Sequence, residues 1–331
     1  MPENHFKYKP IYIDQNGRLE EQSILHIIEP IRDSSYYLPT RKQLNDPTEG
    51  TFDNQVQEGL AGFMHSLTGI GEQQEIKQAV LELMRQISHS TDNSGVFSLS
   101  KTAVDELMWG HYANSHCGIA IEYDIVLLTR FSSKQHLHCF DVRYSETPPE
   151  LKLENIQENI PEAICTMLGH KSSTWSHESE FRVLLENTNG PIPHDYRAVK
   201  SITFGLGVSE AVRRYIYEKT KHKVQNYFEI AMMHNSYDFE RKALSEFLGN
   251  TPKGIHREIE WDNHLLGVSP DRKSEFIKII SDALEKDPHF KELYLTEIST
   301  VDTSQIVVSY EAQHEIPLQP WSKYTKYFYP M

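Results

Sequence analysis

Between Trp175 and Leu185 the chain reads Trp-Ser-His-Glu-Ser-Glu-Phe-Arg-Val-Leu-Leu, placing Glu178, Glu180 and Arg182 at every second position ahead of an apolar run. In an extended segment successive side chains alternate between faces, so these three share one side while Phe181, Val183 and Leu185 take the other. Two carboxylates then look into one space. Each raises the other's pKa and a nearby guanidinium lowers both, so the triplet can hold a polar ligand or steady a developing cation. A solvated strand face carrying a Glu–Arg pair has the same spacing.

Other residues offer chemistry of their own. Ser98 and Ser100 stand two apart in Gly95-Val-Phe-Ser-Leu-Ser100, a strand pattern that turns both hydroxyls one way. Val104, Leu107, Met108 and His111 fall on one helical stripe, which points His111 inward or into a cleft; a histidine so placed also serves as a satisfied core residue. His136, His138 and Cys139, with His116 and Cys117 upstream, supply zinc-type donors, but at no standard metal-ligand spacing. Gly205-Leu-Gly207 reads as a tight strand-to-helix turn, because a dinucleotide loop needs a third glycine and a later acid.

The elements that must position these residues alternate in type. Phe6 to Ile13 reads as a strand that Pro10 places partly at an edge, closed by a turn at Asp14–Gly17. A helix follows from Leu19 to Ile31, then a strand at Ser35–Leu38. Asp46, Pro47 and Glu49 form a capping box ahead of helical sequence over 55–90, with a loop at 68–71. Strands follow at Gly95–Ser100, Gly118–Asp124 and Phe140–Tyr144, helices at Thr102 onward and Pro161–His170, then the acidic strand. A helix over Ser209–Lys221 and a strand over Val224–Ala231 complete a mixed region. The pattern breaks near Gly249. Beyond it come a segment over Ile255–Trp261, a helix over Ser274–Glu285, a hairpin of Leu293–Ile298 with Gln305–Tyr310, and an aromatic tail, Trp321–Tyr329, suited to docking on the main body.

Composition narrows the function. A 331-residue chain, 38% hydrophobic, can bury one large core or two smaller ones. A formal charge of -14 excludes a broad phosphate-tracking surface for nucleic acid. Three cysteines are too few for a disulfide framework, no run suits a membrane span, and the N-terminus has no leader pattern. The expected setting is the cytoplasm.

Five blocks, Leu44–Gly50, Phe97–Ser100, Met108–Ala113 with Cys117–Tyr123, Val142–Tyr144 and Trp175–Arg182, resemble in order a bacterial family known only as domain of unknown function 2971. A second resemblance is to ADP-ribosyltransferases of the Arg-Ser-Glu type, which carry a basic residue on an early strand, Ser-x-Ser on a later one and Glu-x-Glu leading into a strand. Lys7 or Lys9, Ser98-Leu-Ser100 and Glu178-Ser-Glu180 occupy those places, with lysine where the family has arginine.

That resemblance implies NAD as substrate. Glu180 would stabilise the sugar cation and Glu178 would orient or deprotonate the nucleophile. Ser98 would hold the cofactor and Ser100 would brace the Ser98 strand or Glu180. His111 or Trp109 would contact the base or nicotinamide, Lys7 or Lys9 the phosphate, and Arg182 the bound cofactor. The expected fold is α+β: an ADP-ribosyltransferase-like mixed sheet with inserted helices over residues 1–248 and an appended α+β segment over 249–331. The expected function is transfer of ADP-ribose to a macromolecule, protein or nucleic acid, or hydrolysis of NAD. The alternatives are a non-catalytic nucleotide- or partner-binding sensor and, from the His/Cys cluster, a metal-dependent hydrolase.

Overall fold

The computed structural model describes residues 5–13, 19–46, 48, 50, 82, 85–132, 136–149, 160–248, 259, 261, 264–266, 268–285, 290–298, 305–312 and 324–330. The chain divides into two compact units, Met1–Gly249 and Asn250–Met331. The Asp14–Gly17 turn, Pro47, Glu49, nearly all of the 55–90 helical region and most of 255–261 lie outside the described residues.

Among the described residues of the first unit, strands β1 (His5–Lys9), β2 (Ser35–Leu38), β3 (Gly95–Ser100), β4 (Ile119–Tyr123), β5 (Leu137–Asp141), β6 (Arg143–Ser145), β7 (His170–Ser172), β8 (Glu180–Leu185), β9 (Gly190–Pro193), β10 (Val199–Phe204), β11 (Asn226–Met232) and β12 (Phe239–Leu248) accompany five α-helices. These are α1 (Glu21–Arg32), α2 (Glu106–Tyr112), α3 (Ile125–Leu128), α4 (Ile160–Leu168) and α5 (Glu210–Thr220). Eight strands form one mixed sheet in the order β12-β11-β10-β4-β1-β3-β8-β5, while β2 pairs with β9 and β6 with β7. Within the large sheet only β10 and β11 run parallel, as the crossover through α5 requires.

β1 is therefore central, flanked by β4 and β3, which corrects the edge placement expected from Pro10. The strand ends at Lys9, one residue before the proline, so the missing N–H never enters the ladder. The strand expected over Phe140–Tyr144 is two strands, broken at Val142, whose N–H donates to the Glu180 carbonyl. β12, which pairs antiparallel with β11, has no counterpart among the expected elements.

The sheet is covered differently on its two faces. One face carries Phe97, Leu99, Ile121, Tyr123, Val183 and Leu185, packed with Ile24, Ile27, Ile28 and Ile31 of α1 and Val212 and Ile216 of α5. The isoleucines recur at helical spacing, so α1 lays one apolar stripe on the sheet. The other face has two smaller apolar clusters. Phe6, Tyr8 and Ala120 pack with Met108 and Trp109 of α2, and Val96 and Leu184 pack with Ile164 and Leu168 of α4. Ser98, Ser100, Glu180 and Arg182 lie on this second face: Ser98 pairs with Arg182 and Ser100 with Glu180 in the β3–β8 ladder, and Phe6 pairs with Ser100.

In the second unit, α6 (Pro270–Glu285) buries Phe276, Ile280 and Leu284 at a four-residue spacing, and β13 (Phe290–Ile298), β14 (Gln305–Ala312) and β15 (Tyr324–Pro330) form an antiparallel sheet. The expected hairpin is present, with Leu293 opposite Tyr310 and Ile298 opposite Ile306. Of the aromatic tail, Tyr324 onward is strand, paired with β14, and Trp321 lies outside the described residues.

The Gly205–Gly207 turn joins β10 to α5, which Ser209 caps by accepting from the Val212 N–H. A Cβ on Gly205 would lie 2.2 Å from the His116 carbonyl oxygen, so this glycine is required by close backbone approach. Gly205→Ala is expected to destabilise the protein by about 1–3 kcal/mol, read as a lower urea midpoint with an unchanged slope.

Candidate functional site

Between the two apolar clusters of the second face lies a cavity of about 240 Å³. Ser98, Ser100, Glu178, Glu180, Arg182 and Lys7 all line it. Glu180 and Arg182 are on β8 as the spacing required, but Glu178 is not extended. It ends a 3₁₀ turn over Ser173–Glu178, and Ser179, with φ of 43°, reverses the chain before the strand begins. Both carboxylates still reach the same cavity, and both are buried.

Neither acid is bare. Arg182 Nε and Nη2 each donate to a different Glu180 oxygen at 2.9 Å, a fork-to-fork pair, and Arg182 Nη1 donates to the Leu168 carbonyl at the end of α4. Lys171 on β7 donates to Glu178 at 2.5 Å, stands 3.5 Å from Glu180, and lies over the Trp175 ring. The Tyr112 hydroxyl donates to Glu178 and accepts from the Asn45 amide at 2.6 Å. The Tyr144 hydroxyl accepts from the Glu180 N–H at 2.8 Å.

Burial alone would raise the Glu180 carboxyl. The Arg182 charge and hydrogen bonds, then Lys171 and a hydrogen bond from Ser98, outweigh it and hold the group at about 2. Glu180 is thus an anion at neutral pH. The hydroxyls of Tyr112 and Tyr144 are pushed up, first by burial, and stay protonated.

Lys7 Nζ donates to the Ser98 carbonyl at 2.9 Å and sits 5.0 Å from the Phe97 ring centroid. β1 and β3 are paired only through Phe6 and Ser100, and Lys7 lines cavities on both faces of the sheet. Burial pulls its ammonium down to about 7, with Lys9 adding to the effect and Glu180 opposing it.

Three expected ligand contacts need correction. Lys9 lines the cavity on the opposite face and not this one; alternation along β1 turns Lys7 the same way, over Phe97, and Lys7 is joined to the β3 backbone only by its amine, at the Ser98 carbonyl. Trp109 is fully buried, its indole N–H donating to the Ala103 carbonyl at 2.8 Å, which leaves the ring to core packing. His111 is exposed, as are Val104 and Leu107. Val104 precedes α2, and Met108, Trp109 and Tyr112 set the inward arc of that seven-residue helix, with His111 outside it. Ser100 pairs with Glu180 in the β3–β8 ladder, and its hydroxyl accepts from the Thr102 N–H at 3.3 Å.

The His/Cys cluster is not gathered into one site among the described residues. His138 and Cys139 are neighbours on β5 and point to opposite faces, and His138 pairs with Glu186 at 2.5 Å. Among the described residues no group of three or more His, Cys, Asp or Glu is placed to hold a metal ion.

Lys171, Tyr112, Tyr144 and Asn45 were not singled out by the residue pattern. The last three sit inside the sequence blocks that carry the family resemblance, which was the available signal. Lys171, in a three-residue strand, had none. Residues 108–183 match a family model described as Protein of unknown function (DUF2971). The matched stretch includes Tyr112, Tyr144, Lys171, Glu178, Glu180 and Arg182. No curated protein and no solved structure matches the chain.

Two outcomes test this electrostatic picture. Arg182→Met strands a buried carboxylate and is expected to cost about 3–5 kcal/mol of stability in urea unfolding, with Glu180→Gln added to it restoring part of the loss. For Lys7, the folded pKa near 7 lies below the ordinary 10.5. Between those values the unfolded chain binds the extra proton, so stability rises with pH there; below about 7 both states are charged and the burial cost is fully present. Lys7→Met should therefore gain stability relative to the native protein at about pH 6, and the gap should shrink by about pH 9.

Proposed function

We propose that this cavity receives the nicotinamide-ribose end of NAD and that the chain is an ADP-ribosyltransferase-like, NAD-consuming enzyme. Its product would be ADP-ribose carried by a macromolecule or released by water. The observation that carries the proposal is convergence: Lys7 on β1, Ser98 on β3, Glu178 at the end of the 3₁₀ turn and Glu180 at the start of β8 come from distant parts of the chain and line one hollow.

The chemistry follows from the groups present. The bond between the ribose carbon and nicotinamide breaks, its electron pair leaves with the ring, and positive charge spreads over the sugar. Glu180, ionised at neutral pH, lies at the cavity wall to steady that charge. Glu178 takes the proton as water or an acceptor hydroxyl forms the new bond to carbon. Lys7 offers an amine to a phosphate at the edge of the cavity, as a point charge without the bidentate grip of arginine. At about 240 Å³ the hollow suits the reacting end of such a molecule and leaves the remainder outside.

A specific observation favours a second reading, a non-catalytic nucleotide-binding sensor. Each acid already has a cation, Lys171 for Glu178 and Arg182 for Glu180, which is how a binding pocket stays stable when empty.

Nicotinamide release from NAD separates the two. Under the first reading the native protein releases nicotinamide, and Glu180→Gln lowers the rate by about 100- to 1,000-fold, with circular dichroism verifying the fold of the variant. Release at an unchanged rate removes Glu180 from the mechanism. Saturable NAD binding with no release by the native protein selects the sensor.

A further inference from the structure

On the opposite face of the sheet lies a second and larger cavity, about 510 Å³, bounded by α1, β2 and the strands β1, β3 and β4. It falls within the size range of small-molecule sites. Its floor is the sheet: Lys7 and Lys9 from β1, Phe97 from β3, and Ile121 and Tyr123 from β4, with Tyr36 of β2 beside them. The aromatic rings are locked by one another, Tyr36 and Tyr123 each meeting Phe97 edge-on at 5.0 and 5.6 Å between centroids. At the rim stand Glu29 and Asp33, and both already contact Arg32, at 3.7 and 2.7 Å.

The two amines are treated differently by the fold. Lys7 donates to the Ser98 carbonyl at 2.9 Å. Lys9 has neither a hydrogen bond nor an ion pair among the described residues, although it is half-buried and burial lowers its pKa. A protonated amine held over an aromatic floor without a carboxylate gains most from an incoming anion. The flat walls favour a planar apolar body behind that anion.

We infer that this cavity is a separate binding site for a small anionic ligand with an aromatic body, its carboxylate or sulfonate set against Lys9 and its ring against Tyr36, Phe97 and Tyr123. The site faces away from Ser98 and Glu180 and does not depend on whether the first cavity consumes NAD.

The test uses the full chain and the fluorescent probe anilinonaphthalene sulfonate, with the uncharged phenylnaphthylamine as its control. Saturable one-to-one binding of the sulfonate is expected, displaced by benzoate. Lys9→Met should weaken the sulfonate by roughly tenfold, about one charge-assisted contact, while leaving phenylnaphthylamine unaffected, and Lys9→Arg should retain the native affinity. Equal sulfonate affinity in the native protein and Lys9→Met overturns the site, as does the absence of saturable binding. If Lys9→Met fails to fold, loss of the sulfonate's advantage over phenylnaphthylamine at high salt supports the charge contact, and an advantage indifferent to salt refutes it.

Discussion

The polar centre of the first unit depends on charge matching in a place water does not freely reach. Glu178 and Glu180 on one side and Lys171 and Arg182 on the other are all buried. An uncompensated ion in such a place costs several kcal/mol, so each of the four is tolerable only because the others are there. The apolar clusters to either side, Phe6 with Trp109 and Leu184 with Leu168, fix how far apart those charges can move. Arg182 links the two layers: its guanidinium grips Glu180 on the sheet and also reaches the last carbonyls of α4, where a cation suits the helix end. Sheet, helix and site are one electrostatic unit.

The sheet contributes a second constraint. β1 joins β4 along its whole length but meets β3 only through Phe6 and Ser100. Where the ladder with β3 stops, a lysine side chain takes the place of backbone pairing, Lys7 Nζ satisfying the Ser98 carbonyl. A carbonyl inside a sheet must find a donor, and here it finds one that also carries a charge. Lys7 consequently lines both cavities, as does Pro39.

Much of this was legible in the letters, and the failures have physical causes. Alternation in Glu180-Phe-Arg-Val-Leu-Leu and Val-Phe-Ser-Leu-Ser gave the correct faces because each strand keeps an unbroken apolar row on one face and all its polar side chains on the other. Glu178 broke the alternation because Ser179 adopts a left-handed conformation, which the side chain of serine does not announce. The His111 stripe assumed a helix beginning before Val104, whereas α2 starts at Glu106, capped by Asp105, and the shift moves the inward arc. β12 escaped notice because a register shift in its pairing with β11 spoils the two-residue period. Lys171 could not have been found locally. Its role exists only because β6 and β7 pair and bring it beneath Trp175.

Counting lone pairs shows what room remains at Glu180. A carboxylate offers about four acceptor positions. Arg182 occupies two, while Lys171 lies 3.5 Å from Oε2. Glu180 also lines the cavity. A hydroxyl donor placed there would meet an ionised acceptor, whereas an acceptor atom would meet a fixed negative charge. The surrounding cations hold the acid in one orientation, so their presence narrows the choice of ligand atom at Glu180 to a donor, whether that ligand is then cleaved or merely held.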